Sequence, residues 1–232
     1  MDGVHLVDGY LMRFGTAGVE VLIRASAASH EELRSLAGRT TAAVMSDALF
    51  DEISPVHSPT GVLALAPLPE VEVGEPSRPG FQILLDGVQD PGNLGGILRS
   101  AAAAGALAAH LSRDCADPWS PKSLRGGMGA QFLLPVKQHK SLPQDASTLG
   151  SQLIACLATA AASVFDTDLS KDVAFIVGGE GAGISQELLS QAHLAVRVPM
   201  RHGIESLNAA HAATVCFYEW LRQASRSASP PA

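Results

Sequence analysis

A chain of 232 residues with 47% hydrophobic and 17% charged residues is long enough for a small and a medium domain, and too apolar to remain unfolded. The net charge of −7 excludes a general polyanion binder built on clustered Lys and Arg. Three widely spaced cysteines, Cys115, Cys156 and Cys216, give neither a disulfide framework nor a zinc pattern. No signal-like stretch follows Met1 and no apolar run approaches the roughly 20 residues that span a bilayer, so a cytoplasmic protein with no membrane contact and no metal is expected.

In chain order, "GVEVLIR" (18–24) and "TTAAVMS" (40–46) read as strands flanking a helix in "SHEELRSLAG" (29–38), with Ser29 as N-cap and Gly38 as stop. With "TGVLALAP" they make a small α/β unit over residues 1–66. The proline-rich "PLPEVEVGEPSRPG" (67–80) reads as a linker. Beyond it come the apolar runs "FQILLD", "LAAHLS", "FLLPV", "LIACLA", "AFIVGG" and "LAVRVP", several separated by helical stretches. That alternation predicts an α/β domain over 81–222, with a largely parallel sheet covered on both faces. Residues 223–232, ending in "SASPPA", read as a disordered tail.

Charge is unevenly spread: residues 1–80 hold five Lys/Arg against eleven Asp/Glu, and residues 81–232 eleven against twelve. The basic stretch is 113–140, with Arg113, Lys122, Arg125, Lys137 and Lys140 against Asp114 and Asp117.

Parallel sheets bind ligands at the carboxyl ends of their strands, which singles out three post-strand loops. In "DGVQDPGNLGGILRSAAAAGA", Pro91 and Gly92 make a turn and Asn93 is the expected N-cap of a helix from Leu94. Gly95 and Gly96 then fall inside that helix, each at a cost of about 1 kcal/mol relative to Ala. Either they clear space over which Arg99 leans beside Asn93, or they permit close helix packing while Arg99 pairs with Asp90. The loop "GGEGAGIS" offers main-chain amides and Glu180, as a ligand cradle or as a tight strand-to-helix turn. In "VPMRHGIESLNAAHAA", Pro199 ends a strand and Ser206 caps a helix, while Glu205 and Asn208 are polar choices that a core does not require. His202 and His211 read as surface or structural residues. No loop carries the dinucleotide or P-loop glycine fingerprint, which removes the main support for a nucleotide-dependent oxidoreductase.

Together and in this order, the three loops resemble the motifs of the SpoU (TrmH) family of SPOUT methyltransferases, which methylate a ribose 2'-hydroxyl of RNA. "KSLRGGMGAQFLLPV" is similar to the stretch between the first two motifs. "GVHLVDGYLMRFGTAGVEVLI" resembles part of the ribosomal-protein-like substrate-binding domain that precedes the catalytic domain in many rRNA-directed members. The chain departs from the usual pattern at Gly179, commonly Asn or another small residue, at Gly127, commonly Ser, and at Val198, commonly Ile.

The resemblance implies a sheet ending in a trefoil knot and the cofactor S-adenosyl-L-methionine. Gly178, Gly179, Glu180, Gly181, Pro199, Met200, Ser206 and Leu207 would hold the cofactor. Asn93, Arg99, Glu180, Ser206 and Asn208 would be catalytic, and Arg99, Arg113, Lys122 and Arg125 would contact RNA. It further implies a homodimer with the active site at its interface, so that Arg99 of one subunit serves the other's pocket. 23S rRNA is favoured as substrate over tRNA; a non-catalytic RNA-binding or ribosome-assembly protein is the reading from another class.

Overall fold

The structure is a computed structural model and describes residues 1–56, 58–71 and 80–227. The chain begins with α1 (Val4–Phe14), β1 (Glu20–Arg24), α2 (Glu31–Arg39), β2 (Thr41–Met45), α3 (Asp47–Ile53) and β3 (Val62–Leu65). β1 pairs parallel with β2 and antiparallel with β3. Helix α1 turns Leu6, Val7, Tyr10 and Leu11 inward, one stripe at helical spacing. Two local expectations shift: α2 is capped by His30 rather than Ser29, and it runs through Gly38 to Arg39. Of the linker, residues 72–79 lie outside the described residues.

The second unit comprises β4 (Phe81–Asp86), α4 (Pro91–Ala104), β5 (Ala106–Leu111), α5 (Pro121–Gly127), β6 (Val136–Gln138), α6 (Leu142–Ala146) and β7 (Gln152–Cys156). It continues through β8 (Ala162–Ser163), β9 (Val173–Gly178), α7 (Gln186–Leu189), β10 (Leu194–Arg197) and α8 (Ala209–Ser227). Its seven strands lie in the order β6-β5-β4-β9-β7-β10-β8, and every pairing is parallel. The period of two explains how both faces are buried. Ile83, Leu85, Phe175 and Val177 face a core shared with Leu94, Ile97, Leu98, Phe217 and Trp220 of α4 and α8. Leu84, Ala174 and Ile176 face the other way, onto Leu142, Ala146 and Leu188 of α6 and α7.

The run "FLLPV" is not a strand: residues 130–132 form a 3-10 turn, and β6 starts only at Val136, after Pro135. Helix α8 continues past 222 to Ser227, and residues 228–232 lie outside the described residues. Among the described residues, no helix is long and apolar enough to cross a membrane.

Candidate active site

Strand β4 ends at Asp86, and the chain re-enters a helix at Pro91 because Asp90, not Asn93, is the N-cap. Asp90 Oδ1 accepts from Asn93 N at 2.7 Å and Pro91 occupies the first turn, where its missing N–H costs nothing. This frees the Asn93 side chain. Its Nδ2 donates to Glu180 Oε1 at 2.5 Å, and its Oδ1 accepts from Asn208 Nδ2 at 2.8 Å. Asn208 Nδ2 also lies 3.0 Å from Glu180 Oε1. Asn208 Oδ1 meanwhile accepts from Ala210 N (3.0 Å) and His211 N (3.3 Å), so Asn208, not Ser206, caps α8. Glu180 Oε1 thus accepts from two side-chain amides, one each from the first and third loops.

Backbone contacts hold these loops in place. Asp86 Oδ2 accepts from Ser185 N at 2.8 Å, and Asp86 O accepts from Gly179 N at 2.9 Å. A Cβ at Gly179 would sit 2.0 Å from Gly87 O, so the approach of the first and second loops leaves room for no side chain. That gives the departure at Gly179 a steric reason. Gly127, the other glycine departure, backs onto Gln131, whose Oε1 would lie 2.5 Å from an added Cβ.

Behind this network lies a cleft of about 250 Å³, between the carboxyl ends of β7, β9 and β10 and the first turns of α8. Gly178, Gly179, Glu180, Met200, Ser206 and Leu207 line it. Gly181 does not; it lines the neighbouring cleft of Asp86, Asp90 and Asp114. Nor is Pro199 among the lining residues. Cys156 at the end of β7, Leu157 and Ala158 in the loop after it, and Ala209, Ala212, Ala213 and Cys216 on α8 were not anticipated from the motifs. The strand-end rule alone would have pointed to the first three. Arg197 fixes that loop by donating from Nη1 to the carbonyls of Ala160 and Ala161. Cys156 donates to Cys216 Sγ at 3.7 Å, and this hydrogen bond, with burial, pushes the Cys156 thiol well up. It is a neutral wall and not a thiolate nucleophile.

Arg99 stands apart. Six residues beyond Asn93, it is about 9 Å further along α4 and about 120° around it. It is exposed, lines neither cleft, and its side chain has no hydrogen bond or ion pair among the described residues, Asp90 included. The glycines beneath it serve packing. A Cβ at Gly95 would meet Ser123 O of α5 at 2.4 Å, and one at Gly96 would meet Ala210 Cβ of α8 at 3.4 Å. Arg113 and Lys122 are exposed, and Arg125 Nη1 lies 3.8 Å from Asp2 Oδ2. His202 and His211 are exposed.

Comparison with known proteins agrees with this geometry. The chain is 31% identical over 221 residues to the 23S rRNA (guanosine(2553)-2'-O)-methyltransferase RlmP of Bacillus subtilis, covering 94% of this chain and 86% of that one. It is 36% identical over 190 residues to an uncharacterized tRNA/rRNA methyltransferase of Synechocystis sp., covering 81% and 69%. The fold superposes on the SpoU methyltransferase AviRb from Streptomyces viridochromogenes in complex with AdoMet, with a TM-score of 0.83 and 27% identity over 99% of this chain and 90% of that one. The model of the SpoU rRNA Methylase family matches residues 80–218, well over half the chain, and the chain therefore belongs to that family, within the SPOUT superfamily.

Proposed function

We propose that this protein is an S-adenosyl-L-methionine-dependent methyltransferase that methylates a ribose 2'-hydroxyl of 23S rRNA, working as a cytoplasmic homodimer. The observation that carries the reading is the Asn93–Glu180–Asn208 network, which ties three loops distant in sequence into one rim over a cleft. The cleft also fits the cofactor. Val177, Ile184, Val196 and Ala213 give it apolar walls, the 178–180 segment brings main-chain groups to it, and among the described residues no Lys or Arg lines it. A cationic sulfonium therefore meets only neutral groups and Glu180.

When bound there, S-adenosyl-L-methionine supplies an activated methyl group. The chain's part is alignment and charge. Gly178, Gly179, Met200, Ser206 and Leu207 would hold the cofactor, with Ser206 and Asn208 placing the ribose. The Arg99 guanidinium would clamp the adjacent phosphate while stabilising the oxygen that develops negative charge. Since Arg99 reaches neither cleft of its own chain, it would act on the site of a second copy, as expected for a dimer-interface site. Arg113 and Lys122, exposed on the basic stretch, would contact RNA backbone. The C-terminal part would thread as the trefoil knot that the family resemblance implies. Preference for rRNA over tRNA is supported by the alignment with a 23S rRNA enzyme across 94% of this chain, N-terminal unit included.

The test is transfer of labelled methyl from S-adenosyl-L-methionine to unmodified 23S rRNA and to tRNA transcripts, with Arg99→Ala alongside. Label at one alkali-resistant site of rRNA, lost in Arg99→Ala, is the expected result. Failure to bind the cofactor would overturn the enzyme reading, and label on tRNA alone would overturn the choice of RNA.

A further inference from the structure

The N-terminal unit is built onto the methyltransferase domain by a shared core. Leu6, Val7, Tyr10 and Leu11 of α1 pack with Leu124, Phe132 and Trp119 of the second unit. Tyr10 and Phe14 meet the Phe132 ring edge-on, at centroid distances of 5.6 and 6.1 Å. At the border of this contact lies a charge that burial makes costly. The Asp2 side chain is 1% exposed; its Oδ1 accepts from Thr60 N and Thr60 Oγ1, both at 3.2 Å. Its Oδ2 has no hydrogen bond among the described residues, and Arg125 Nη1 faces it at 3.8 Å. Arg125 stands on α5, whose Ser123 carbonyl and Gly126 press against the first turns of α4 at Gly95 and Gly92. A short helix thus connects the N-terminal unit to the segment that carries Asn93 and Arg99.

We propose that the Asp2–Arg125 ion pair is a latch that fixes the angle of the N-terminal unit on the methyltransferase domain. Arg125 is then a positioning residue that serves RNA placement through Asp2 and does not itself touch RNA. The latch is read from geometry alone, and its role in RNA placement rests on the rRNA-methyltransferase reading. Asp2 Oδ2 is buried, and beside the neighbouring N-terminal ammonium Arg125 is the side-chain cation that faces it, so loss of the guanidinium weakens the compensation of a buried carboxylate, which opening of the contact would relieve. A lysine at 125 restores a cation and keeps the latch.

The experiment compares the wild type with Asp2→Asn, Arg125→Gln, the double variant and Arg125→Lys. Two quantities are read: rRNA methylation kinetics, and the pulsed-EPR distance distribution between spin labels introduced at the exposed positions Val44 and Lys140. A working latch gives a broadened distribution and an RNA KM raised about tenfold, equivalent to about 1.4 kcal/mol, in Arg125→Gln. Turnover stays within about twofold, the double variant is no worse than Arg125→Gln, and Arg125→Lys restores both readouts. An unchanged distribution in Arg125→Gln, or losses that add in the double variant, overturns the proposal and returns Arg125 to direct RNA contact. If no variant methylates rRNA, the substrate reading fails, and the distance distribution by itself still decides for or against the latch.

Discussion

Lowering the pH should destabilise this protein through one buried histidine. His110, on β5 and 6% exposed, belongs to a hydrogen-bonded line that runs from Ser151 through Gln82, His110 and His139 to Asp145. Gln82 Nε2 donates to Ser151 Oγ at 3.2 Å, so its Oε1, 2.9 Å from His110 Nε2, accepts from a protonated His110 Nε2. His110 Nδ1 is then the acceptor facing His139 Nε2 at 2.9 Å, and a second proton on His110 has no place to point. Burial first, then the charges of His139 and Lys137, lower the His110 pKa from 6.5 to about 4.

The sign follows from linkage. The unfolded chain takes up this proton near 6.5 and the folded chain only near 4, so the contribution is complete above 6.5 and drains away as pH falls through that window. At about 1.4 kcal/mol per pH unit, the loss is about 2 kcal/mol by pH 5 and about 3 kcal/mol below pH 4. Against a typical total of about 5–15 kcal/mol, that is large enough to measure. Urea unfolding at pH 7.5, 6 and 5, on wild type and His110→Gln, isolates the effect as the part of the pH slope that disappears in the variant. Parallel slopes in the two proteins, or an NMR titration of His110 near 6.5, would refute the reasoning.

Three further outcomes follow from the site. Gly179→Ala must open a contact that would fall at 2.0 Å, so it should destabilise by about 1–3 kcal/mol or more and abolish cofactor binding, measured by unfolding and calorimetry. Asn208→Ala should lose about 1 kcal/mol of helix capping together with activity, whereas Asn208→Ser keeps the cap and loses only activity; equal stability loss in both would disprove the separate roles. Arg99→Ala and Asn208→Ala should each be inactive, yet after mixing and subunit exchange recover about a quarter of wild-type turnover, because half the dimers hold one complete composite site. No recovery would place Arg99 in the site of its own subunit.

How far the sequence reaches can be judged from particular elements. β4 and β9 were legible as apolar runs because central parallel strands are buried on both faces. Helix starts were less so. Asp90 and Asn93 are both good caps, and Pro91 in the first turn was the signal that favoured Asp90. Ser206 and Asn208 competed in the same way, and the helix begins late because residues 206–208 form the cleft rim before α8 starts. Short α3 has too few turns for a firm periodicity, whereas α1 does carry a stripe at helical spacing, and both draw their stability from tertiary packing. The motif residues Asn93, Glu180 and Asn208 were named from the sequence. Their mutual hydrogen bonds, and the separation of Arg99 from them, depend on where the helices point.

The cleft also constrains when the protein becomes competent during its synthesis. Its walls come from β7, β9 and β10, but Ala209, Ala212, Ala213 and Cys216 close it, and Asn208 completes the rim. A growing chain that has released every strand of the larger sheet still owns no binding site. Only when α8 emerges and docks against α4 is the cleft closed, so on the proposed function a product of translation that stops short of α8 should not bind S-adenosyl-L-methionine.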